Sequence, residues 1–153
     1  MQFVQNMLGG GKSNAQADAS AASTTNGSQA LGLLGGANDA LFSDGASKVG
    51  GNPTTVGQAI ASNTKLLMFY FSMHNCPPCR EFTPLLVELY NEHNENGKVI
   101  EVVFFSGDQD QSQYNEYFGE MPWLALPYKD PRMKPAAKHF TVRGLPRLVV
   151  LNA

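Results

Sequence analysis

Residues 65–106 read KLLMFYFSMHNCPPCREFTPLLVELYNEHNENGKVIEVVFFS. The opening run, KLLMFYF (65–71), is continuously apolar and aromatic over the length of one strand, as expected of a strand covered on both faces. Beyond the two cysteines, Phe82, Leu85, Leu86, Leu89, Tyr90 and His93 recur at helical spacing and predict an amphipathic helix with that face inward. Gly97 stands where such a helix needs a C-cap. Pro84, in the second turn, removes an interior hydrogen bond and is expected to kink it. KVIEVVFFS (98–106) is a second apolar, β-branched run whose single charge is Glu101. Strand, helix and strand in this order predict a right-handed parallel crossover.

Downstream, Tyr114, Tyr117, Phe118 and Met121 share one face of a short predicted helix, followed by the irregular stretch MPWLALPYKDP (121–131). Asp130 and Pro131 supply an N-cap and an N1 residue for a further helix running to about Phe140. GLPRLVVLN (144–152) predicts a last strand with Pro146 at its entrance, where proline is tolerated. The fold class is α/β, a central sheet flanked by helices on both faces.

Upstream the composition changes. In residues 1–40, twenty-five positions are Gly, Ala, Ser, Thr or Asn, the sole aromatic is Phe3, and the charges are Lys12, Asp18 and Asp39. Such a segment buries too little apolar surface to offset roughly 1 to 2 kcal/mol of backbone ordering entropy per residue. It is expected to be a disordered tail, within which LGLLGGANDALF could dock a short apolar patch. A single domain is expected over 41–153.

The formal charge of −2 and pI near 5.9 give no long-range field that would attract nucleic acid or an anionic membrane. The N-terminus lacks the basic and apolar regions of a signal peptide, and no run is long enough to span a bilayer. Two cysteines three residues apart do not make a disulfide-stapled scaffold. A reducing compartment, cytoplasmic or nuclear, is expected.

The chemistry is concentrated in Cys76-Pro77-Pro78-Cys79. A thiolate is the nucleophile in disulfide exchange, and the reference thiol pKa of about 8.5 must be overcome near neutrality. A strand-to-helix turn does this: orphan backbone N–H donors and the positive end of the helix dipole favour negative charge on Cys76. Pro77 and Pro78 suit the first turn, which has no use for their missing N–H groups. The i, i+3 spacing brings both sulfurs to one side of that turn. Cys76 is then placed to attack a substrate disulfide, and Cys79, nearer the apolar face, to resolve the mixed disulfide. A zinc site would need four ligands, and His74, His93 and His139 are scattered, so no metal or other cofactor is expected. An inert pair of small buried hydrophobes is the remaining alternative.

The segments YFSMHNCPPCREFTPLLVELY, EVVFFSGDQD, YFGEMPWLALPY and VRGLPRLVVL together resemble the nucleoredoxin and tryparedoxin branch of the thioredoxin fold. The resemblance runs from about Leu41 to the last residue. It implies a protein-disulfide reductase that acts on protein or peptide disulfides and is recharged by an upstream thiol or NADPH-dependent reductase. Cys76 and Cys79 would be the catalytic pair, Pro77, Pro78, Arg80 and Pro146 their support, and Asn75, Trp123 and Leu145 candidate substrate contacts. The Leu145–Pro146 bond would be cis. Departures are equally specific. Asn75 replaces the usual Trp before the first cysteine, Arg147 a small hydroxyl residue, and Tyr70 the buried acid of thioredoxins proper. Arg147 either favours the Cys76 thiolate or, by strand alternation, points away. Glu101 is a candidate substitute for the missing acid or an exposed strand-end charge. The resemblance also implies a further strand and helix after Ala153, so the domain is expected to be C-terminally incomplete, with an open edge on RLVVL for a strand-pairing partner. A non-catalytic binding module, regulated by the redox state of Cys76 and Cys79, is the competing function; Met121, Trp123 and Pro127 would then line a groove, although core or loop packing is the role expected of them first.

Overall fold

Apolar runs with β-branched and aromatic side chains set the two central strands, and everything else is arranged on them. A computed structural model describes residues 32–36, 39–42, 53–56, 60 and 63–153. Its elements are β1 (Ala40–Phe42), β2 (Pro53–Thr55), β3 (Leu66–Ser72), α1 (Pro77–Asn94), β4 (Ile100–Ser106), α2 (Gln111–Phe118), β5 (Leu124–Ala125), α3 (Met133–His139) and β6 (Arg147–Asn152). Among the described residues they form one six-stranded sheet in the order β2-β1-β5-β4-β3-β6.

β3 and β4 run parallel from Leu66↔Ile100 to Ser72↔Ser106, joined through α1 as the sequence predicts. β6 lies antiparallel on the other side of β3, from Leu66↔Asn152 to Phe71↔Arg147. Strand alternation then sorts the core into two layers. Met68, Tyr70, Val102 and Phe104 pack against α1 and α2, together with Leu86, Tyr90, Tyr114 and Tyr117. Leu67, Phe69, Phe71, Val103 and Phe105 pack against α3 through Ala136. Phe105 is the hinge of the second layer, with Phe69 and Phe71 rings at 4.9 and 4.6 Å.

Several expectations need correction. The buried stripe of α1 is Cys79, Thr83, Leu86 and Tyr90, and Leu85 is 61% exposed. The stripe spacing of four, three and four residues leaves Leu85 on the far side, at 100° per residue from Thr83. Pro84 is exposed and lies inside the helix, which continues through it. α3 begins at Met133 rather than at Pro131, although Asp130 makes the cap contact expected of it, accepting from the Arg132 backbone N–H at 2.9 Å and also from its Nε at 2.7 Å. The chain upstream of residue 41 also contributes to the fold: Leu34 is fully buried in the α3 layer, and Arg132 Nη1 donates to its carbonyl at 2.5 Å. The boundary expected between residues 40 and 41 falls inside β1. Residues 1–31 lie outside the described residues.

Candidate active site

The C-terminal end of β3 delivers residues 73–76 to the N-terminus of α1, where the two prolines occupy N1 and N2 and Cys76 is the N-cap in extended conformation. A cap residue's side chain conventionally accepts from the first-turn amides. Here the acceptor is sulfur: the Cys79 N–H donates to Cys76 Sγ at 3.4 Å. The two cysteines are joined in a disulfide with Cα atoms 5.2 Å apart. Cys76 is partly exposed, while Cys79 is 0% exposed. Of two linked sulfurs, then, only one can be met by a large substrate.

The loop before β6 closes over this pair. Leu145–Pro146 is cis, and the Leu145 carbonyl oxygen lies 3.8 Å from Cys76 Sγ. Gly107, at the end of β4, permits that approach: a Cβ there would stand 3.3 Å from Leu145 Cδ1 and 3.6 Å from the Ser72 carbonyl. The sheet therefore brings Cys76, Cys79, Pro77, Pro78, Leu145 and Pro146 together from positions seventy residues apart in sequence.

Arg80 and Asn75 stand at the rim. Arg80 pairs with Glu120 at 3.4 Å and its guanidinium lies 5.5 Å from the Tyr117 ring centroid, tying the first turn of α1 to the end of α2. Asn75 is exposed, and its Oδ1 lies 3.0 Å from His74 Nδ1. Behind it, Asp108 accepts from the His74 backbone N–H at 2.7 Å and from Ser106 Oγ at 2.8 Å, which fixes the loop in front of the helix.

Trp123 is not at the rim. It is 1% exposed, set edge-on to Tyr70 and Tyr90 at 6.1 and 5.6 Å. Met121 is equally buried, so these two side chains take the core packing expected of them rather than a place in a partner groove. Arg147 pairs in register with Phe71 and so shares the α3 side of the sheet, opposite the layer that holds α1. Of the two placements considered for it, strand alternation prevails.

Glu101 is neither an exposed strand-end charge nor a neighbour of Cys79. It is fully buried, accepting from Tyr90 Oη at 3.2 Å and Lys98 Nζ at 3.2 Å. Tyr90 is eleven residues beyond Cys79, about 16 Å along the helix at 1.5 Å per residue. Burial raises the Glu101 carboxyl above its ordinary value of 4.5, against the opposing pull of Lys98 and the Val102 N–H. The folded state thus holds this proton more tightly than the unfolded chain, so the contribution to stability is complete below the ordinary value and is lost as pH rises through the folded one. Glu101→Gln is expected to be most favourable relative to the parent at neutral pH, with its advantage shrinking as pH falls towards 4.5. Urea midpoints over a pH series measure this, and a difference that does not change with pH would rule it out.

What meets the Cys79 carbonyl instead is a cluster of hydroxyls. Thr83 Oγ1 donates to the Cys79 carbonyl at 2.9 Å. Tyr70 Oη lies 2.8 Å and Tyr117 Oη 2.5 Å from Thr83 Oγ1, and Ser72 Oγ lies 2.8 Å from Tyr117 Oη. Tyr117 Oη also donates to the Cys79 carbonyl, at 3.3 Å, so Thr83 and Tyr117 share that acceptor, with Tyr70 and Ser72 joined to them on either side. Burial pushes the Tyr70 phenol well above its ordinary range. Ser72, Thr83 and Tyr117 carry no motif. The one local signal is Thr83, a hydroxyl four residues after Cys79 on the stripe that turns inward.

Comparison with known proteins agrees with this geometry. A family model described as thioredoxin-like matches residues 63–153. Probable nucleoredoxin 1 of Arabidopsis thaliana is 50% identical over 88 residues, 58% of this chain and 15% of that protein. Tryparedoxin of Trypanosoma brucei brucei is 45% identical over 91 residues, 58% of this chain and 62% of that protein. The chain thus spans from about a seventh to under two thirds of these relatives. The crystal structure of tryparedoxin I from Crithidia fasciculata superposes with a TM-score of 0.66 at 35% identity, covering 79% of this chain and 77% of that one. With a family match over more than half its length, and with a buried and a partly exposed cysteine paired at a helix N-terminus beside a cis-proline loop, the chain belongs to the thioredoxin-like family, with nucleoredoxins and tryparedoxins among its relatives.

Proposed function

We propose that this chain reduces protein disulfides through Cys76 and Cys79. With both sulfurs reduced, the Cys76 thiolate attacks one sulfur of the substrate disulfide, forming a Cys76–substrate disulfide and releasing the other substrate sulfur as a thiolate. Cys79 then gives up its proton and attacks Cys76 Sγ, closing the intramolecular disulfide and releasing the second substrate thiol. Two electrons pass from the dithiol to the substrate, and an upstream dithiol or an NADPH-dependent reductase restores them. The cytoplasm or nucleus, where such donors act, is the proposed compartment; no described helix is long and apolar enough to cross a membrane.

The observation that carries this proposal is the asymmetry of the pair: Cys76, the accessible sulfur, caps a helix whose first-turn amide already points at it, and Cys79 is sealed beneath. Amides at a helix N-terminus stabilise a thiolate. The relatives' names support the chemistry, and one tryparedoxin II structure is described as a complex with glutathionylspermidine. Insulin reduction with an external reductant tests it. The wild-type chain is expected to accelerate reduction and Cys76→Ser is expected not to; equal rates for the two would overturn the proposal.

A further inference from the structure

Charge is unevenly divided along the chain. Residues 81–120, which include most of α1 and all of α2, carry nine carboxylates and one basic residue, Lys98. Residues 121–153, with α3 and β6, carry six Lys or Arg residues and one carboxylate, Asp130. Near the cysteines the acidic side is largely occupied internally. Asp108 holds the His74 amide and Ser106, Glu120 holds Arg80, and Glu116 lies 3.6 Å from His74 Nε2. Across the cysteines the cations are unoccupied. Arg132 is bound to Asp130, but among the described residues the side chains of Lys138, Arg143 and Arg147 make no ion pair or hydrogen bond. Arg147 Nε is buried with no acceptor at all.

These cations sit where a substrate must arrive. Arg143 and Arg147 stand two residues either side of Leu145, whose carbonyl is 3.8 Å from Cys76 Sγ. Lys138 closes the C-terminal turn of α3, which leads into the same loop. A guanidinium presents a planar fork suited to a carboxylate. In an extended substrate, a residue two or three places from the attacked cysteine lies roughly 7 to 10 Å away along the chain, so a flank of a few residues runs past the Leu145 loop towards exposed Arg143 and, on the α3 side of the sheet, Arg147.

We propose that Arg143 and Arg147, with Lys138 beside them, form a docking surface for an acidic polypeptide segment that flanks the substrate disulfide. This deepens the reductase function proposed above and rests on it. The occupant is a polypeptide rather than a nucleic acid because the cations bracket the loop facing Cys76, and a partner held there has to offer a disulfide to that sulfur. The chemistry is unchanged: the substrate disulfide gains two electrons, Cys76 and Cys79 lose them, and an upstream dithiol resupplies them.

The test uses the full chain, reduced, with three synthetic peptides that share one disulfide loop and carry flanks of Glu, Gln or Lys. At about 0.01 M salt, where screening is weak, the Glu peptide is expected to react about tenfold faster than the Gln peptide and the Lys peptide slowest. At about 1 M salt, where the screening length is about 3 Å, the preference should fall below about twofold. Arg143→Gln with Arg147→Gln should remove the preference, and Arg143→Gln alone, at an exposed loop residue, should reduce it. Lys65→Gln, at the opposite end of β3, should preserve it. Equal Glu and Gln rates in the wild type, or a preference that survives both arginine substitutions, would overturn the docking surface. If no peptide is reduced beyond the level of Cys76→Ser, the reductase function fails, and docking is then read from fluorescence anisotropy with a labelled, cysteine-free Glu peptide. Salt-sensitive binding that Arg143→Gln weakens supports the surface, and absence of binding overturns it. Tighter, arginine-dependent binding of an oligothymidylate of equal charge would overturn the polypeptide occupant.

Discussion

Reduced Cys79→Ser, mixed with a protein disulfide, is expected to accumulate a covalent adduct through Cys76 and to lose essentially all multiple-turnover reductase activity. The first exchange needs only the partly exposed sulfur at the cap of α1. The second needs a nucleophile already beside it, and Cys79 is the one group placed there, with its Cα 5.2 Å from that of Cys76. A serine hydroxyl in that buried position has no thiolate to offer, so the mixed disulfide has no internal exit. Non-reducing gels and peptide mapping measure the outcome. A variant that keeps turning over, or an adduct mapped away from Cys76, would show that resolution does not pass through Cys79. Single-turnover loss of the Cys76 thiol should remain, which separates resolution from attack.

Phe104→Ala is expected to cost about 3–5 kcal/mol, the range for truncating a fully buried aromatic to alanine. The ring is completely enclosed at the centre of β4, with Tyr114, Tyr117 and Phe118 at centroid distances of 6.1, 5.6 and 6.3 Å. Tyr70, on the adjacent strand in register, lies at 6.3 Å. The cavity cannot collapse easily, because the parallel β3–β4 ladder holds one wall and α2 the other. Phe104→Leu, closer in volume, should lose no more than about 1.5 kcal/mol. Urea unfolding midpoints with unchanged slopes measure both, and a loss below about 1 kcal/mol for the alanine variant would mean that the layer refills the space.

The parts of this fold that could be read from sequence are those whose signal is local and long. KLLMFYF and VIEVVFFS are strands because seven consecutive residues face two covered sides, and α1 follows from its own periodicity. β1, β2 and β5 are two or three residues long, too short for any period to register. Leu34 was hidden for a different reason. A single leucine among glycines has no amphipathic context, and its burial depends on α3, about a hundred residues away, whose Arg132 reaches its carbonyl. The cysteines and the proline loop were legible because their chemistry is carried by adjacent residues. The sequence leaves Trp123 open between core and rim and gives no sign of the burial of Glu101, since an indole or a carboxylate of itself does not say whether neighbours such as Tyr90 and Lys98 will enclose it. The hydroxyls beneath Cys79 come from β3, α1 and α2, and nothing along the chain announces that Ser72 and Tyr117 will meet.

That hydroxyl cluster bears on how the resolving cysteine is held. Tyr70, Ser72, Thr83 and Tyr117 supply no carboxylate, imidazole or amine, so the groups that hold the Cys79 backbone are neutral. Their dipoles are nevertheless reversible, because each hydroxyl can rotate from donating in one direction to donating in the other. The network ends on the Cys79 carbonyl, so the backbone of the resolving residue is held by dipoles that can turn as its sulfur changes partners, rather than by a fixed counter-ion.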